Sequence, residues 1–205
     1  MLLTQERELV RQYCIKMYDR GLTVGTSGNI SIFNRDQGLL AISPSSVNYH
    51  IANIEDIVVM DLGGKIVQGD RRPSTEWKMH LVQYQRRADI NAVIHSHPPY
   101  ATACACLQRD VPAVHGSITL TKDEIIPCAK YGFSGSEELA EYMYEAMQGR
   151  TAALVNSHGL MVGAKDIARA MMITEELEFV CKMYILTESV GGAPVLPREK
   201  LQFWG

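Results

Sequence analysis

The sequence predicts an α/β protein folded as a single domain over residues 1–205. The chain has 205 residues, of which 46% are hydrophobic, which is enough for one full core. Short segments of alternating apolar residues, separated by tight turns, indicate β-hairpins. Longer segments with apolar residues at helical spacing fall between and after these hairpins. Neither an internal repeat nor a linker composition interrupts this alternation, so one domain is expected.

The composition disfavours several classes of protein. The formal charge of −3 and the pI near 6.1 provide no basic stripe for nucleic acid. The first segment, MLLTQERELVRQYC, reaches charged residues after two leucines, unlike a signal peptide or a membrane span. Five cysteines without a Cys-x-x-Cys pair disfavour a disulfide framework. We therefore expect a cytoplasmic enzyme that binds neither nucleic acid nor membranes.

The first 70 residues predict one helix and two hairpins. Residues 4–20 carry apolar side chains on one helical face, with Thr4 as a candidate N-cap and Gly21 as a stop signal. The segments LTVGTSGNISIF and LLAISPSS flank the turn RDQG and predict a hairpin between two hydroxyl-rich loops. IVVMDL and KIVQG flank Gly63-Gly64 and predict a second hairpin.

The middle of the chain predicts helix, strand and helix. PSTEWKMHLVQYQRR predicts a helix with one apolar face. INAVIHSH predicts a strand that leads directly into a helix, because prolines such as Pro98 and Pro99 are well tolerated in a first helical turn. The following segment, VPAVHGSI, predicts a strand that contains His115.

The last third predicts two helices around a hairpin. SGSE at residues 134–137 fits a capping box with Ser134 as the N-cap of the helix ELAEYMYEAMQ. AALVNSHGLMVGA predicts a strand, a tight turn and a second strand. The segment DIARAMMITEELEFVCKMYILTESV predicts a long helix that ends before Gly191-Gly192.

Two histidines at the end of the strand INAVIHSH predict a metal site. Residues i and i+2 of an extended strand leave the same face, so His95 and His97 should project side by side. Neutral imidazole is a common zinc ligand, and catalytic zinc sites usually have three protein ligands and an open position. His158, at a glycine turn between two strands, is the candidate third ligand. The other histidines are predicted to be structural: His50, His80 and His115.

Glu76 is the acidic residue that best fits a catalytic role. It falls in the first turn after Pro73, where a carboxylate stabilises a helix by roughly 0.3–1 kcal/mol through the helix dipole. In a capping box, Glu would lie three residues after Ser or Thr, but Trp77 and Lys78 hold those positions. Its side chain is therefore free of capping, and beside a Lewis-acidic metal it can act as general acid or base.

Three short segments rich in small and hydroxyl-bearing residues predict a phosphate site. They are GTSGNIS at 25–31, SPSS at 43–46 and PST at 73–75. Glycine allows close backbone approach, and free N–H groups, hydroxyls and a helix N-terminus favour a dianionic phosphate. Ordinary turns have a similar composition, so each segment alone is weak. None matches the Walker or dinucleotide pattern, which disfavours ATP and NAD as substrates.

The motifs GTSGNIS, SPSS, PSTEWKMH, NAVIHSHP and NSHGL, in this order, resemble the class II aldolase/adducin family over almost the whole chain. The resemblance implies a three-layer α/β/α domain with a mostly antiparallel central sheet, assembled as a homotetramer. It implies one Zn²⁺ per subunit bound by His95, His97 and His158, with Glu76 as catalytic residue and a further metal ligand. The residues matched to substrate phosphate binding are Thr26, Gly28, Asn29, Ser45, Ser46, Ser74 and Thr75.

The resemblance also implies a reaction. We expect a zinc-dependent aldolase that reversibly cleaves a ketose 1-phosphate, such as L-fuculose 1-phosphate, to dihydroxyacetone phosphate and an aldehyde. Epimerase members resemble this pattern but carry Asp at the position of Glu76, so glutamate favours the aldolase branch. The alternatives are a zinc-dependent sugar-phosphate epimerase, dehydratase or decarboxylase, and a non-catalytic adducin-like interaction module.

One departure from the family pattern concerns a tyrosine. The resemblance places a catalytic tyrosine at the position of Gly116, in the segment Val114-His115-Gly116. It also places a tyrosine near the C-terminus, where this sequence reads QFWG at residues 202–205. We therefore expect the aldehyde half of the substrate, or the reaction itself, to differ from that of well-known fuculose-phosphate aldolases.

Overall fold

The protein, described over residues 1–203 by a computed structural model, is built on a seven-stranded sheet. The strand order is β4-β3-β2-β1-β5-β9-β8, and every neighbouring pair is antiparallel. Two further short strands, β6 and β7, pair with each other. The strands are β1 (Asn29–Asn34), β2 (Leu39–Ile42), β3 (Val58–Asp61), β4 (Ile66–Gln68), β5 (Ala92–Ser96), β6 (Val111–Pro112), β7 (Ile125–Ile126), β8 (Ala152–Val155) and β9 (Gly159–Ala164).

Within residues 1–203, five α-helices cover the two faces of this sheet. They are α1 (Thr4–Asp19), α2 (Trp77–Arg86), α3 (Pro99–Cys106), α4 (Glu137–Ala146) and α5 (Ile167–Glu188). The apolar side chains of α1, α3 and α5 pack on one face, and those of α2 and α4 pack on the other. Strand β5 shows the alternation, since Ile94 joins the first core and Val93 the second. The predicted α/β/α fold with an antiparallel sheet is confirmed.

One edge of the sheet collects the polar motifs of the sequence. Asn29, the first residue of β1, pairs with His95 near the end of β5. Ser96 pairs with Leu160 at the start of β9, so the β8–β9 turn lies at the same edge. Strand β2 ends there as well, because Ile42 pairs with Ser31. Antiparallel pairing thus brings segments that are far apart in sequence to one place.

The predicted hairpins and helices are present, and the long final helix shows how its ends are set. The side chain of Asp166 accepts a hydrogen bond from the backbone N–H of Arg169 at 2.7 Å and caps α5. The helix ends before Gly191, which has a φ of +110°. Although α5 has 22 residues, within residues 1–203 we find no helix that combines the length and apolarity needed to cross a membrane.

Three local predictions were wrong. Thr4 is the first residue of α1 rather than its N-cap, because its hydroxyl bonds to the carbonyl of Met1. His115 precedes a 3₁₀ helix instead of lying in a strand, and its ring accepts a hydrogen bond from the backbone N–H of Ser117. Ser134 does not cap α4: the cap is Ser136, which accepts a hydrogen bond from a backbone N–H of the first turn.

Candidate active site

Three imidazole rings converge at the polar edge of the sheet. His95 lies on β5, His97 directly follows that strand, and His158 lies in the turn between β8 and β9. The Nε2 atoms of His95 and His97 are 3.0 Å apart, and one ring nitrogen of each of the three lies within 4.8 Å of the others. Two ligands about 2.0–2.1 Å from a tetrahedral ion are separated by about 3.4 Å. The three donors therefore fit a single metal ion.

The protonation of these rings suits metal binding. The Nδ1 atom of His95 lies 3.1 Å from the carbonyl oxygen of Leu160, which accepts its N–H and leaves the Nε2 lone pair free. Burial, with the neighbouring His95, lowers the pKa of His97 to about 3. Burial also lowers the pKa of His158. These two imidazoles are thus neutral near pH 7, which is the form that binds metals.

Glu76 completes what we call the imidazole–carboxylate cluster: His95, His97, His158 and Glu76. Its carboxylate oxygens lie 3.2 Å from Nε2 of His95 and 3.4 Å from Nε2 of His158. Glu76 immediately precedes α2, where its side chain makes no cap, and it is only 6% exposed. Its position agrees with the expectation that this carboxylate is not used in capping.

The carboxylate of Glu76 is held by two further side chains. Ser134 donates its hydroxyl hydrogen to Oε1 at 2.8 Å, and Asn29 donates an amide hydrogen to Oε2 at 2.9 Å. Burial raises the pKa of Glu76, but the imidazoles of His95 and His158 and the Ser134 hydroxyl outweigh it. The pKa therefore lies well below its ordinary value. An ionised carboxylate at this place can accept a proton or bind a metal.

The segments 25–31, 43–46 and 73–75, here called the hydroxyl loops, surround the cluster. Backbone hydrogen bonds join two of them, from the N–H of Ser74 to the carbonyl of Ser43 at 3.0 Å and from the N–H of Ser45 to the carbonyl of Arg72 at 2.9 Å. Pro44 and Pro73 form an isolated β-bridge between the same two loops. The loops thus form one polar wall.

This wall and the cluster open into one cavity of about 260 Å³. Every predicted site residue lines it except His95, which is fully buried behind it. The lining residues that the structure describes include several serines and threonines but neither lysine nor arginine, so an anion there would be held by hydroxyl and N–H groups. The lining residues are Thr26, Ser27, Gly28, Asn29, Pro44, Ser45, Ser46, Ser74, Thr75, Glu76, His97, Ser134 and His158.

Gly28 shows why the first hydroxyl loop needs glycine. Its φ is +74°, and an added Cβ would lie 2.9 Å from the backbone oxygen of His95 and 3.2 Å from Oγ1 of Thr23. The loop therefore packs directly on β5 and fixes the next residue, Asn29, against the cluster. In the second loop Ser46, a non-glycine residue, also has a positive φ of 58°.

Ser134 is a site residue that was not predicted from the sequence. Its assignment as a helix cap was wrong because Ser136 takes that role, which leaves the Ser134 hydroxyl to Glu76. Gly135 between them has a φ of +77°, and a Cβ there would lie 2.7 Å from the carbonyl oxygen of Thr75. The repeated serine in Ser-Gly-Ser was the available signal. Ser27 and Pro44, which lie inside two of the predicted segments but were not singled out, also line the cavity.

The remaining histidines lie outside the cluster. His50 is exposed and pairs with Asp19 at 3.0 Å. The ring of His115 contacts Phe179 edge to face, and Gly116 is absent from the lining of the cavity within residues 1–203. His80 is fully buried and reaches Asn29. Of the C-terminal segment QFWG, residues 204 and 205 lie outside the described residues.

Comparison with known proteins identifies a family and relatives that resemble this chain. The family model "Class II Aldolase and Adducin N-terminal domain" matches residues 8–185. The chain is 44% identical over 202 residues to a 5-deoxy-D-ribulose 1-phosphate aldolase of Bacillus thuringiensis serovar kurstaki, covering 98% of this chain and 94% of that one. It is 35% identical over 201 residues to an L-fuculose phosphate aldolase of Escherichia coli K12, covering 96% and 92%.

A solved structure gives the same result. An L-fuculose 1-phosphate aldolase superposes with a TM-score of 0.94 at 42% identity, covering 98% of this chain and 94% of that one. The relatives are named aldolases, which are lyases, and the family match spans most of the chain. The chain therefore belongs to the class II aldolase and adducin family, and it is a lyase of the class II aldolase type.

Proposed function

We propose that the protein is a zinc-dependent aldolase that reversibly cleaves a ketose 1-phosphate to dihydroxyacetone phosphate and an aldehyde. One observation carries this proposal: three converging imidazoles, a buried carboxylate and the hydroxyl loops meet at a single cavity of about 260 Å³, which His97, His158 and Glu76 line. The first two parts suit the breaking of a carbon–carbon bond, and the third suits a phosphate.

Class II aldolases depend on a metal ion, and the imidazole–carboxylate cluster fits one. We propose one Zn²⁺ per subunit bound by His95, His97 and His158, with Glu76 as a ligand that substrate can displace. Nitrogen donors in this number suit zinc. When bound, zinc supplies a Lewis acid that polarises the substrate ketone and stabilises the negative charge developed during cleavage.

Glu76 is the proposed acid–base residue. In the condensation direction its carboxylate accepts a proton from the hydroxymethyl carbon of dihydroxyacetone phosphate, and in cleavage the same carboxyl group returns that proton. Asn29 and Ser134 each hold one of its oxygens at 2.9 and 2.8 Å. They keep the carboxylate in the orientation that proton transfer requires.

The hydroxyl loops are the proposed phosphate site. Hydroxyls and N–H groups from three loops converge there, so phosphate binding would fix the reacting carbons against Glu76. The loops would therefore orient the substrate as well as contribute to its affinity. The residues assigned to this site are Thr26, Gly28, Asn29, Ser45, Ser46, Ser74 and Thr75.

The names of the relatives narrow the range of candidate substrates. Cleavage of 5-deoxyribulose 1-phosphate releases acetaldehyde, and cleavage of fuculose 1-phosphate releases lactaldehyde. Both aldehydes end in a methyl group. We therefore propose that the substrates are deoxyketose 1-phosphates with a methyl terminus.

A condensation screen tests this proposal. Dihydroxyacetone phosphate is incubated with acetaldehyde or lactaldehyde, and with glycolaldehyde or glyceraldehyde as matched aldehydes that carry a terminal hydroxyl. We expect faster product formation with the methyl-terminated members. Equal rates for all four would contradict the substrate class, and no product with any aldehyde would contradict the aldolase assignment. Release of carbon dioxide or an isomeric product from candidate sugar phosphates would indicate a decarboxylase or an epimerase.

We also propose that residues 1–205 form one domain and assemble in the cytoplasm as a homotetramer. This assembly follows from the family resemblance. Sedimentation equilibrium should give four times the subunit mass of 22.9 kDa. A monomer at micromolar concentration would contradict the assembly.

A further inference from the structure

A row of polar side chains runs beneath the site, between β1 and α2. Asn29 and Ser31 are two residues apart on β1 and leave the same face of that strand. Glu76, His80 and Tyr84 are four residues apart and share one face at and along α2. Because these two faces pack together, the five side chains interleave. All five are buried, and His80 and Ser31 are completely inaccessible.

The contacts in this row are short and continuous. Asn29 Nδ2 lies 2.9 Å from Oε2 of Glu76, and Asn29 Oδ1 lies 2.5 Å from Nε2 of His80. His80 Nδ1 lies 2.7 Å from the hydroxyl of Ser31. That hydroxyl lies 2.6 Å from the hydroxyl of Tyr84. Each neighbour is within hydrogen-bonding distance of the next.

The donor and acceptor of each hydrogen bond in this row can be assigned by starting from Glu76. The ionised Glu76 only accepts, so Asn29 turns its NH₂ group to Glu76 and its carbonyl oxygen to His80. Nε2 of His80 must then carry hydrogen. Burial lowers the pKa of His80 to about 3, so the ring is neutral and its Nδ1 accepts from Ser31. With its own hydrogen used, the Ser31 hydroxyl can only accept at its 2.6 Å contact with Tyr84, whose hydroxyl hydrogen also faces the backbone carbonyl of Ser31 at 3.0 Å. The bonds from Ser31 onwards all point towards Glu76.

We infer that His80 is a positioning residue of the lyase site, which fixes the amide of Asn29 so that its N–H group faces Glu76. This inference rests on the proposed role of Glu76 in proton transfer. An Asn amide has two orientations of similar shape, and the hydrogen on Nε2 of His80 acts together with the Glu76 carboxylate to select between them here. Without it the Asn29 oxygen can turn to the carboxylate, which would repel it and displace Glu76.

The tautomer of His80 tests the geometry without any turnover. In the full-length protein labelled with ¹⁵N-histidine, a ¹H–¹⁵N correlation spectrum at pH 7 should show His80 neutral, with its proton on Nε2. Assignment follows from the loss of that signal in His80→Gln. A proton on Nδ1, or a doubly protonated ring, would overturn the inference. This result is independent of the substrate, so it stands apart from any failure of the proposed aldolase activity.

A double-mutant cycle tests the functional link. His80→Phe should lower kcat about tenfold or more, because it removes a hydrogen bond to a buried group. His80→Gln, whose amide N–H can replace Nε2–H, should remain within about threefold of the wild type. In an Asn29→Ala background, His80→Phe should have no further effect, since its target is gone. The same fold-loss in both backgrounds would overturn the inference.

Two controls separate positioning from folding. Gln83→Leu changes a fully buried polar residue of α2 that has no hydrogen bond to the site, and it should leave kcat unchanged. If His80→Phe does not fold, Ser31→Ala replaces it in the cycle, because it removes the donor that holds Nδ1 as an acceptor. Ser31→Ala should lower kcat at unchanged metal content, and an unchanged kcat would overturn the inference.

Discussion

The imidazole–carboxylate cluster and the hydroxyl loops share one cavity but are built differently. The cluster lies at the ends of regular elements: His95 and His97 at the end of β5, His158 in the β8–β9 turn and Glu76 just before α2. Its members are buried or half-buried, and Glu76 and His95 are inaccessible or nearly so. The loops lie mostly outside helices and strands, apart from residues 29–31 in β1, and have positive φ at Gly25, Gly28 and Ser46. The comparison indicates that the ends of strands and helices place the reacting groups, whereas turns place most of the hydroxyl and N–H groups available to a substrate.

Removal of one imidazole should have the largest effect. His97→Ala leaves only two histidine ligands, so we expect loss of bound metal and a fall in kcat of roughly 10³-fold, because Lewis-acid stabilisation is worth several kcal/mol. Metal content by mass spectrometry and a cleavage assay provide the measurement.

His50→Ala is the matched control for that variant. His50 is exposed and pairs with Asp19 outside the cavity, so its removal should retain metal and activity. Normal metal content in His97→Ala would show that the cluster is not the metal site.

Glu76→Gln should have the next largest effect. The amide preserves shape but cannot take a proton, and general acid–base catalysis is worth about 10²–10⁴-fold. We expect exchange of the dihydroxyacetone phosphate proton with solvent to fall by roughly 10²-fold or more. Glu137→Gln, at an exposed carboxylate of α4, is the control. Undiminished exchange in Glu76→Gln would remove Glu76 from the proton-transfer role.

Substitutions in the hydroxyl loops should weaken substrate binding rather than slow the chemical step. Ser45→Ala removes one hydroxyl from the cavity wall, and we expect KM for the phosphorylated substrate to rise about tenfold at nearly constant kcat, since a hydrogen bond to a charged group contributes about 1.5 kcal/mol. Ser189→Ala, at the far end of α5, is the control. A fall in kcat with unchanged KM would contradict the division between cluster and loops.

The smallest expected effects come from alanine substitutions at Gly25 and Gly28, two glycines of the first hydroxyl loop. Gly25 and Gly28 both have positive φ, but only Gly28 has atoms within 4 Å of an added Cβ. Gly25→Ala should cost about 1 kcal/mol of unfolding free energy from backbone strain alone. Gly28→Ala should cost about 2–3 kcal/mol, because the new methyl group also meets β5. Equal losses in urea unfolding would show that this loop does not depend on its close approach to β5.

The sequence predicted the elements of the fold better than their arrangement. Periodicity located the hairpins and helices because each buries one face, and that requirement is local. The strand order depends on pairing between distant segments such as β1 and β5, which periodicity does not encode. The family resemblance, rather than the pattern, supplied the three-layer fold.

The candidate site, too, could be predicted only in part from the sequence. The pair His95 and His97 was visible because two residues on a strand share a face. Ser134 was missed because the choice between Ser134 and Ser136 as helix cap depends on contacts with the segment before α2. His80 was taken as structural because the strand that faces it across the core was unknown.

Metal removal tests the central claim most directly. The protein is stripped with a chelator, its zinc content is measured, and cleavage of 5-deoxyribulose 1-phosphate and fuculose 1-phosphate is assayed before and after Zn²⁺ is restored. We expect the metal-free protein to be inactive and one equivalent of Zn²⁺ per subunit to restore cleavage in the wild type but not in His97→Ala. Full activity in the metal-free protein would contradict the account.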